Sequence, residues 1–222
     1  NPQPNNNDDF GRSVSLSGDW LAVGAYRADG ADSDVGKTHI YARNAGGQWN
    51  LATTLSEDLG AGANFGISVS MSGERLAVLS GVGQIASCPG CVAGTIHIYQ
   101  RDSQGIWILS ESFPNPSSSY TLGSAVLSLS GDTLVVGHRS ESLGGLGQTG
   151  VAFIYERDPS GQWSHTATKY RPGILQGSES FGLSVSVSGD LLAVSSSDWN
   201  LSPSQSGNAH LYQRSATGQW NH

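Results

Sequence analysis

Three groups of residues have types and spacings that could do chemistry. The first is Tyr26-Arg27-Ala-Asp29-Gly-Ala-Asp32-Ser-Asp34. Alternating carboxylates of this kind belong to cation loops, but a calcium loop also needs a bidentate Glu further on, and none follows here. The reading is a solvated acidic loop and no cofactor, with calcium at Asp29, Asp32 and Asp34 as the one cation candidate. The second group is Ser-Cys88-Pro-Gly-Cys91-Val. In an oxidising compartment the two cysteines close a short local disulfide, which restricts the unfolded chain only slightly. Inert thiols, half a zinc site and a redox dithiol are the other readings. Zinc wants about four ligands and only His97 is near in sequence, while redox pairs normally open a helix. The third group is Asp198-Trp199-Asn200-Leu-Ser202, where Asn200 heads an N-glycosylation sequon and Trp199 could stack on a sugar or pack on protein.

The elements that position these residues are repeats. Phe10-Gly-Arg-Ser-Val-Ser-Leu-Ser-Gly-Asp19 returns as Phe65 to Glu74 and as Phe181 to Asp190, with a looser copy from Leu122 to Asp132. An apolar Leu-Ala-Val type of segment follows each copy. Tyr41, Tyr99, Tyr155 and Tyr212 then fall 58, 56 and 57 residues apart, each trailed by a Trp at 49, 107, 163 or 220. Such a period means one supersecondary unit used four times. Each unit offers four strands: an alternating Ser-Val-Ser-Leu strand a, an apolar strand b, strand c ending in Tyr, and strand d opening at Trp. Short turns join a to b and c to d, whereas the b–c connections are long and differ from one another. The reading is an all-β chain of four-stranded antiparallel meanders, the blades of a β-propeller, over approximately 10–56, 65–113, 122–169 and 181–222. All four belong to one propeller region, 1–222, whose last blade lacks most of its outer strand.

Repeat phase also sorts structural from functional residues. Asp19, Glu74, Asp132 and Asp190 recur in the a–b turns and read as turn residues. His39, His97 and His210 recur in strand c on different blades, so they cannot converge on one metal. Residues that break phase collect in the b–c connections, and Tyr26, Arg27, His138, Arg139, Glu141, Asp198 and Trp199 form the expected ligand face.

The chain has 222 residues, a net charge of −7, 30 glycines and only 13% charged residues. That balance excludes a basic nucleic-acid surface. No apolar run reaches the roughly 18 residues that a membrane-spanning helix needs. With no signal peptide and no initiator Met, the sequence reads as a processed product or an excised piece. No nucleophile elbow, phosphate-binding glycine loop or metal-histidine pair occurs, and the expectation is that the chain is not an enzyme.

Phe-Gly before strand a, Leu-Ala-Val-Gly-Ala25 in strand b and Gly before an Ile-Tyr strand resemble the FG-GAP repeats of integrin-α-type β-propellers, in a variant with a Ser-Gly-Asp turn. The resemblance covers residues 10–220. Calcium-binding members carry an Asp-rich a–b loop, and the turn here is too short to wrap a cation. Such propellers commonly have about seven blades, so the resemblance implies further chain or a neighbouring subunit that completes the array. It also implies an extracellular or cell-surface protein that serves adhesion, protein–protein interaction or assembly through its b–c and d–a loop face and open terminal blade. A glycan-binding propeller is the alternative.

Overall fold

The computed structural model describes the whole chain except residues 3, 5, 6, 58, 82–93, 117–124, 174–177 and 199–205. The described residues are all-β, built as four four-stranded antiparallel sheets of propeller-blade type. They form two compact units, Asn1–Asn115 and Pro116–His222.

The first unit holds two blades. Blade one runs β1 (Ser13–Ser17), β2 (Trp20–Ala25), β3 (Lys37–Arg43) and β4 (Trp49–Leu55); blade two runs β5 (Ser68–Ser72), β6 (Arg75–Ser80), β7 (Thr95–Arg101) and β8 (Trp107–Pro114). In each, sequence order is spatial order, as antiparallel pairing of consecutive strands gives. The alternating Ser-Val-Ser strand sits at one edge. Its neighbour, the continuously apolar strand, is covered on both faces, so Ala22, Leu76, Ala77 and Val78 are buried. The core lies between the two sheets: Ala22 and Ile40 of blade one meet Phe65, Val69, Met71, Leu76, Val78, Tyr99 and Trp107 of blade two.

The second unit repeats this plan. Blade three comprises β9 (Ala125–Ser130), β10 (Thr133–His138), β11 (Val151–Arg157) and β12 (Trp163–Lys169); blade four comprises β13 (Val185–Ser188), β14 (Leu191–Asp198), β15 (Ser206–Arg214) and β16 (Trp220–Asn221), whose last strand has only two residues. Val135, Ala152 and Ile154 of blade three pack on Phe181, Val187, Leu192, Val194, Tyr212 and Trp220 of blade four.

Two devices join blade to blade inside each unit. The hydroxyls of Ser13, Ser15 and Ser17 accept the backbone N–H groups of Val69, Met71 and Gly73 at 2.8, 2.9 and 2.9 Å. Ser128 and Ser130 accept those of Val187 and Gly189 at 2.9 and 3.0 Å. The period of two in strand a thus aims a row of hydroxyls at the edge N–H groups of the next blade, which would otherwise lack partners. The second device is the Phe-Gly pair. Phe65 bridges Gly36 and Phe181 bridges Gly150 in the preceding blade, and both rings are fully buried. Gly66 lies so close to Gly24 that a Cβ on Gly24 would stand 2.0 Å from the Gly66 carbonyl oxygen; on Gly137 it would stand 2.4 Å from that of Gly182.

The turn acids do more than turn. The N–H groups of Arg43, Arg101, Arg157 and Arg214 donate to the carbonyls of Asp19, Glu74, Asp132 and Asp190 at 2.7–2.9 Å. Each of these arginines also pairs with the acid side chain, closest in Arg43–Asp19 at 2.7 Å and Arg214–Asp190 at 2.8 Å.

Candidate functional site

The expected ligand residues of blades one and three lie where the b–c connections meet the segment leading to the next blade. In the first unit the loop of residues 26–36 folds on itself: the Gly30 N–H donates to the Asp32 carbonyl, the Asp34 N–H to Asp29 Oδ1 at 3.0 Å, and the Gly36 N–H to the Ala28 carbonyl. It is then fastened to residues 62–65. The N–H groups of Gly62, Asn64 and Phe65 donate to the carbonyls of Ser33, Asp34 and Val35 at 2.9 Å each, and the buried Asn64 side chain donates to the Tyr26 carbonyl at 3.1 Å. A loop held by that many backbone bonds is a rigid platform.

Its side chains divide into two sets. Tyr26 is buried beneath the loop, and burial followed by its bond to Asp9 pushes its phenol above the ordinary range. Arg27, Asp29 and Asp32 are exposed, with the Arg27 guanidinium 3.6 Å from Asp9 and over the Tyr26 ring. The Asp29 carboxylate closes the loop through the Asp34 N–H, which gives the acidic run a local role. Among the described residues no three His, Cys, Asp or Glu side chains are grouped to hold a metal.

The second unit treats its b–c loop alike. The Gly150 N–H and the Thr149 hydroxyl donate to the Glu141 carbonyl, while Ser178, Ser180 and Phe181 donate to the carbonyls of Gly147, Gln148 and Thr149. His138, the last residue of β10, is buried, and burial holds its imidazole pKa down although Glu141 pulls it up. Arg139 is exposed and Glu141 half-buried. Of the expected ligand residues in this unit, Arg139 and Glu141 reach the surface and His138 does not. Beneath the following segment Arg171 pairs with the buried Glu179 at 2.6 Å. Trp199, Asn200, Cys88, Cys91 and the side chain of Asp198 lie outside the described residues.

Each strand-c histidine is held within its own blade. His39 bonds Thr54, His97 bonds Ser80 and Ser112, and His210 bonds Ser196. Each also packs on the Phe of its own Phe-Gly pair, at 5.3–5.5 Å between ring centroids. Burial lowers the pKa of all three.

A shallow cavity of about 290 Å³ opens between the a–b turns of blades one and two, lined by Asp19, Trp20, Glu74 and Arg101. The Trp20 ring is the kind of platform a sugar would use, but the Arg101 guanidinium lies 4.7 Å over it and also approaches Trp107. At the phase of Trp20 the other blades carry Arg75, Thr133 and Leu191.

Sequence reading missed the arginines that close the turns and the Asn64 clamp. The first left a signal, Arg standing two residues after every repeated Tyr. Asn64 left none, because its partner Tyr26 is 38 residues away.

Residues 3–41 match the family model described as FG-GAP repeat. Residues 3–41 carry an FG-GAP repeat. The match spans the first blade through strand c, and the other three blades repeat its phase. A search of curated proteins finds no match. Among solved structures, a protein from Lactobacillus plantarum is 19% identical over 94% of this chain and 52% of its own, with a TM-score of 0.53. Sqt1 from Chaetomium thermophilum is 15% identical over 93% of this chain and 44% of its own, also at 0.53. The chain thus shares the β-propeller fold of these structures and spans about half their length.

The expectation that the chain is not an enzyme is corrected. A periplasmic gluconolactonase from Pseudomonas aeruginosa (14% identical, 94% of this chain and 69% of its own, TM-score 0.47) and a glycoside hydrolase (13% identical, 98% and 74%, 0.43) also resemble it. The physical reason is that a search for contiguous motifs tests only local signatures, whereas loops from separate blades can assemble a site from residues far apart in sequence. Neither resemblance assigns a reaction to this chain.

Proposed function

We propose that the chain is an extracellular or cell-surface β-propeller segment that binds a protein partner and joins an assembly, through its b–c and d–a loop face and its terminal blade. One observation carries this reading: a frame repeated four times holds loops that do not repeat, and backbone hydrogen bonds to the d–a segments fix the described ones. Exposed charges on such loops, Arg27, Asp29 and Asp32 in one unit and Arg139 in the other, are the pattern by which a rigid scaffold presents specificity. The FG-GAP resemblance and the Asn200 sequon support an extracellular setting. No helix among the described residues is long and apolar enough to cross a membrane.

The test compares surface-extract proteins captured by the wild-type chain with those captured by Arg27→Glu/Asp32→Lys/Arg139→Glu, read by quantitative mass spectrometry. A partner lost by the charge-reversed chain is expected; an identical captured set sinks the loop-face reading. Glycan-array binding that survives the same substitutions would put the sugar reading first, with Trp20 as its platform.

A further inference from the structure

Blade one and blade four each present one face that no blade of their own unit covers, and the covered faces show what such a face receives. In blade two, Val69 and Met71 are 4% and 5% exposed because blade one lies on them. Their counterparts in blade one, Val14 and Leu16, are 61% and 62% exposed. Trp49 is exposed where Trp107, Trp163 and Trp220 are buried. Gly11 has open space where Gly66 and Gly182 touch the backbone of the preceding blade. Blade one thus displays the receiving face of a contact.

Blade four displays the giving face. Ile40 and Ile154, the strand-c residues that blades one and three turn toward their neighbours, are 0% exposed, whereas Leu211 at the same phase is 68% exposed. Leu191 and Ala209 are exposed beside it. Ser186 and Ser188, which share phase with the accepting hydroxyls of Ser15 and Ser17, are exposed as well. By repeat phase the edge N–H groups of Leu16 and Gly18 are the ones that Ser186 and Ser188 would accept.

The geometry points to a second copy of this chain as the occupant: blade four of one molecule seats blade one of the next. This deepens, and rests on, the proposed role of the terminal blade in assembly. Ser186 and Ser188 take the N–H groups of the second copy's edge strand, Leu211, Leu191 and Ala209 cover its Val14 and Leu16, and Gly207 occupies the place at which Gly36 and Gly150 receive a Phe. Ser195 stands where Gly24 and Gly137 stand, as Leu79 does in blade two, so the clasp on this face runs through Gly207 without the tight glycine pair. The contact joins two different surfaces. It therefore closes into a ring or propagates as an open chain, according to the rotation it imposes.

The full chain is measured by sedimentation equilibrium over a range of concentrations, beside Val14→Asp/Leu16→Asp and Leu211→Asp. These side chains are largely exposed, so the variants should keep the wild-type circular dichroism and urea midpoint. The wild type is expected above the 23.2 kDa monomer mass, and each variant alone at that mass. A mixture of the two variants retains one intact pair of faces and is expected to form a species of twice the monomer mass that grows no further. A wild type that stays monomeric at every concentration, or assembly unaffected by either variant, overturns the proposal. Capture of a loop-face partner by the two variants is scored separately. Its retention without self-association leaves the loop reading standing, and its loss from the wild type leaves the head-to-tail contact standing.

Discussion

Replacing Gly24 by Ala tests whether the Phe-Gly clasp holds the blades together. Gly24 has an ordinary negative-φ backbone, so an alanine there suffers no conformational strain. A Gly→Ala change at such a site normally stabilises by about 0.4–1 kcal/mol, because the unfolded chain loses freedom. Here the new Cβ would meet the Gly66 carbonyl oxygen at 2.0 Å and its carbonyl carbon at 3.1 Å, and both are backbone. Ordinary contact needs about 3.4 Å, so blade two must retreat by more than an ångström along that line, opening the packing of Ile40 on Phe65 and Val69. Overpacking of this order costs about 1–3 kcal/mol, and a clash of backbone on backbone belongs at the upper end. The expected result is a net loss of about 2–3 kcal/mol in urea unfolding. Gly137→Ala, at 2.4 Å from the Gly182 oxygen, should behave alike in the other unit. Gly147→Ala has nothing within 4 Å and serves as the neutral control. A Gly24→Ala midpoint equal to or above the wild-type value would refute the clasp.

Further predictions concern the hydrogen bonds and charges. Ser15→Ala removes the acceptor of the Met71 N–H and should cost about 1–2 kcal/mol, whereas Ser186→Ala, whose hydroxyl is exposed, should leave monomer stability within about 0.5 kcal/mol by the same urea assay. The lowered pKa values of His39, His97, His138 and His210 mean that the unfolded chain takes up protons first on acidification. Stability should be level above pH ~6.5 and fall as pH drops below it, measured as urea midpoint against pH. At the alkaline end burial pushes the Tyr212 phenol up to about 12. Its contribution is complete below the ordinary tyrosine pKa of about 10 and is lost as pH rises from there through about 12, and ultraviolet titration should show its delayed ionisation. Arg43→Ala breaks one exposed pair and should cost under about 1 kcal/mol, while Arg214→Ala, whose guanidinium pairs with both Asp190 and Glu156, should cost more.

Much of the fold was legible because it is written four times. The Ser-Val-Ser alternation gave strand a, the Leu-Ala-Val run gave the buried strand, and the unequal b–c lengths marked the loops. Less of the candidate surface could be read. Tyr26 and His138 look like loop residues by position, yet both turn inward, since each directly follows or ends a buried strand and continues its inward register. Tyr26 is covered by a loop whose anchor, Asn64, belongs to the next blade's approach, and no local pattern announces a partner so distant. The turn acids were read correctly as turn formers, but their arginine partners escaped because the Arg two residues after each repeated Tyr comes within reach of the acid only once strands b and c are paired.

The hydroxyl row on strand a has a consequence for how such a molecule can change over generations. Each serine accepts a main-chain N–H, a group that every residue other than proline supplies, so the joint between blades places no demand on the side chains opposite the row. A gene segment encoding one blade can be duplicated, inserted or exchanged, and the incoming strand finds its hydrogen bonds already offered. Drift at positions such as Val69, Met71 or Val187 then alters only the fit of the core, while this row of bonds stays indifferent to the newcomer's side chains, and the Phe-Gly pair is left as the part of the joint that depends on sequence.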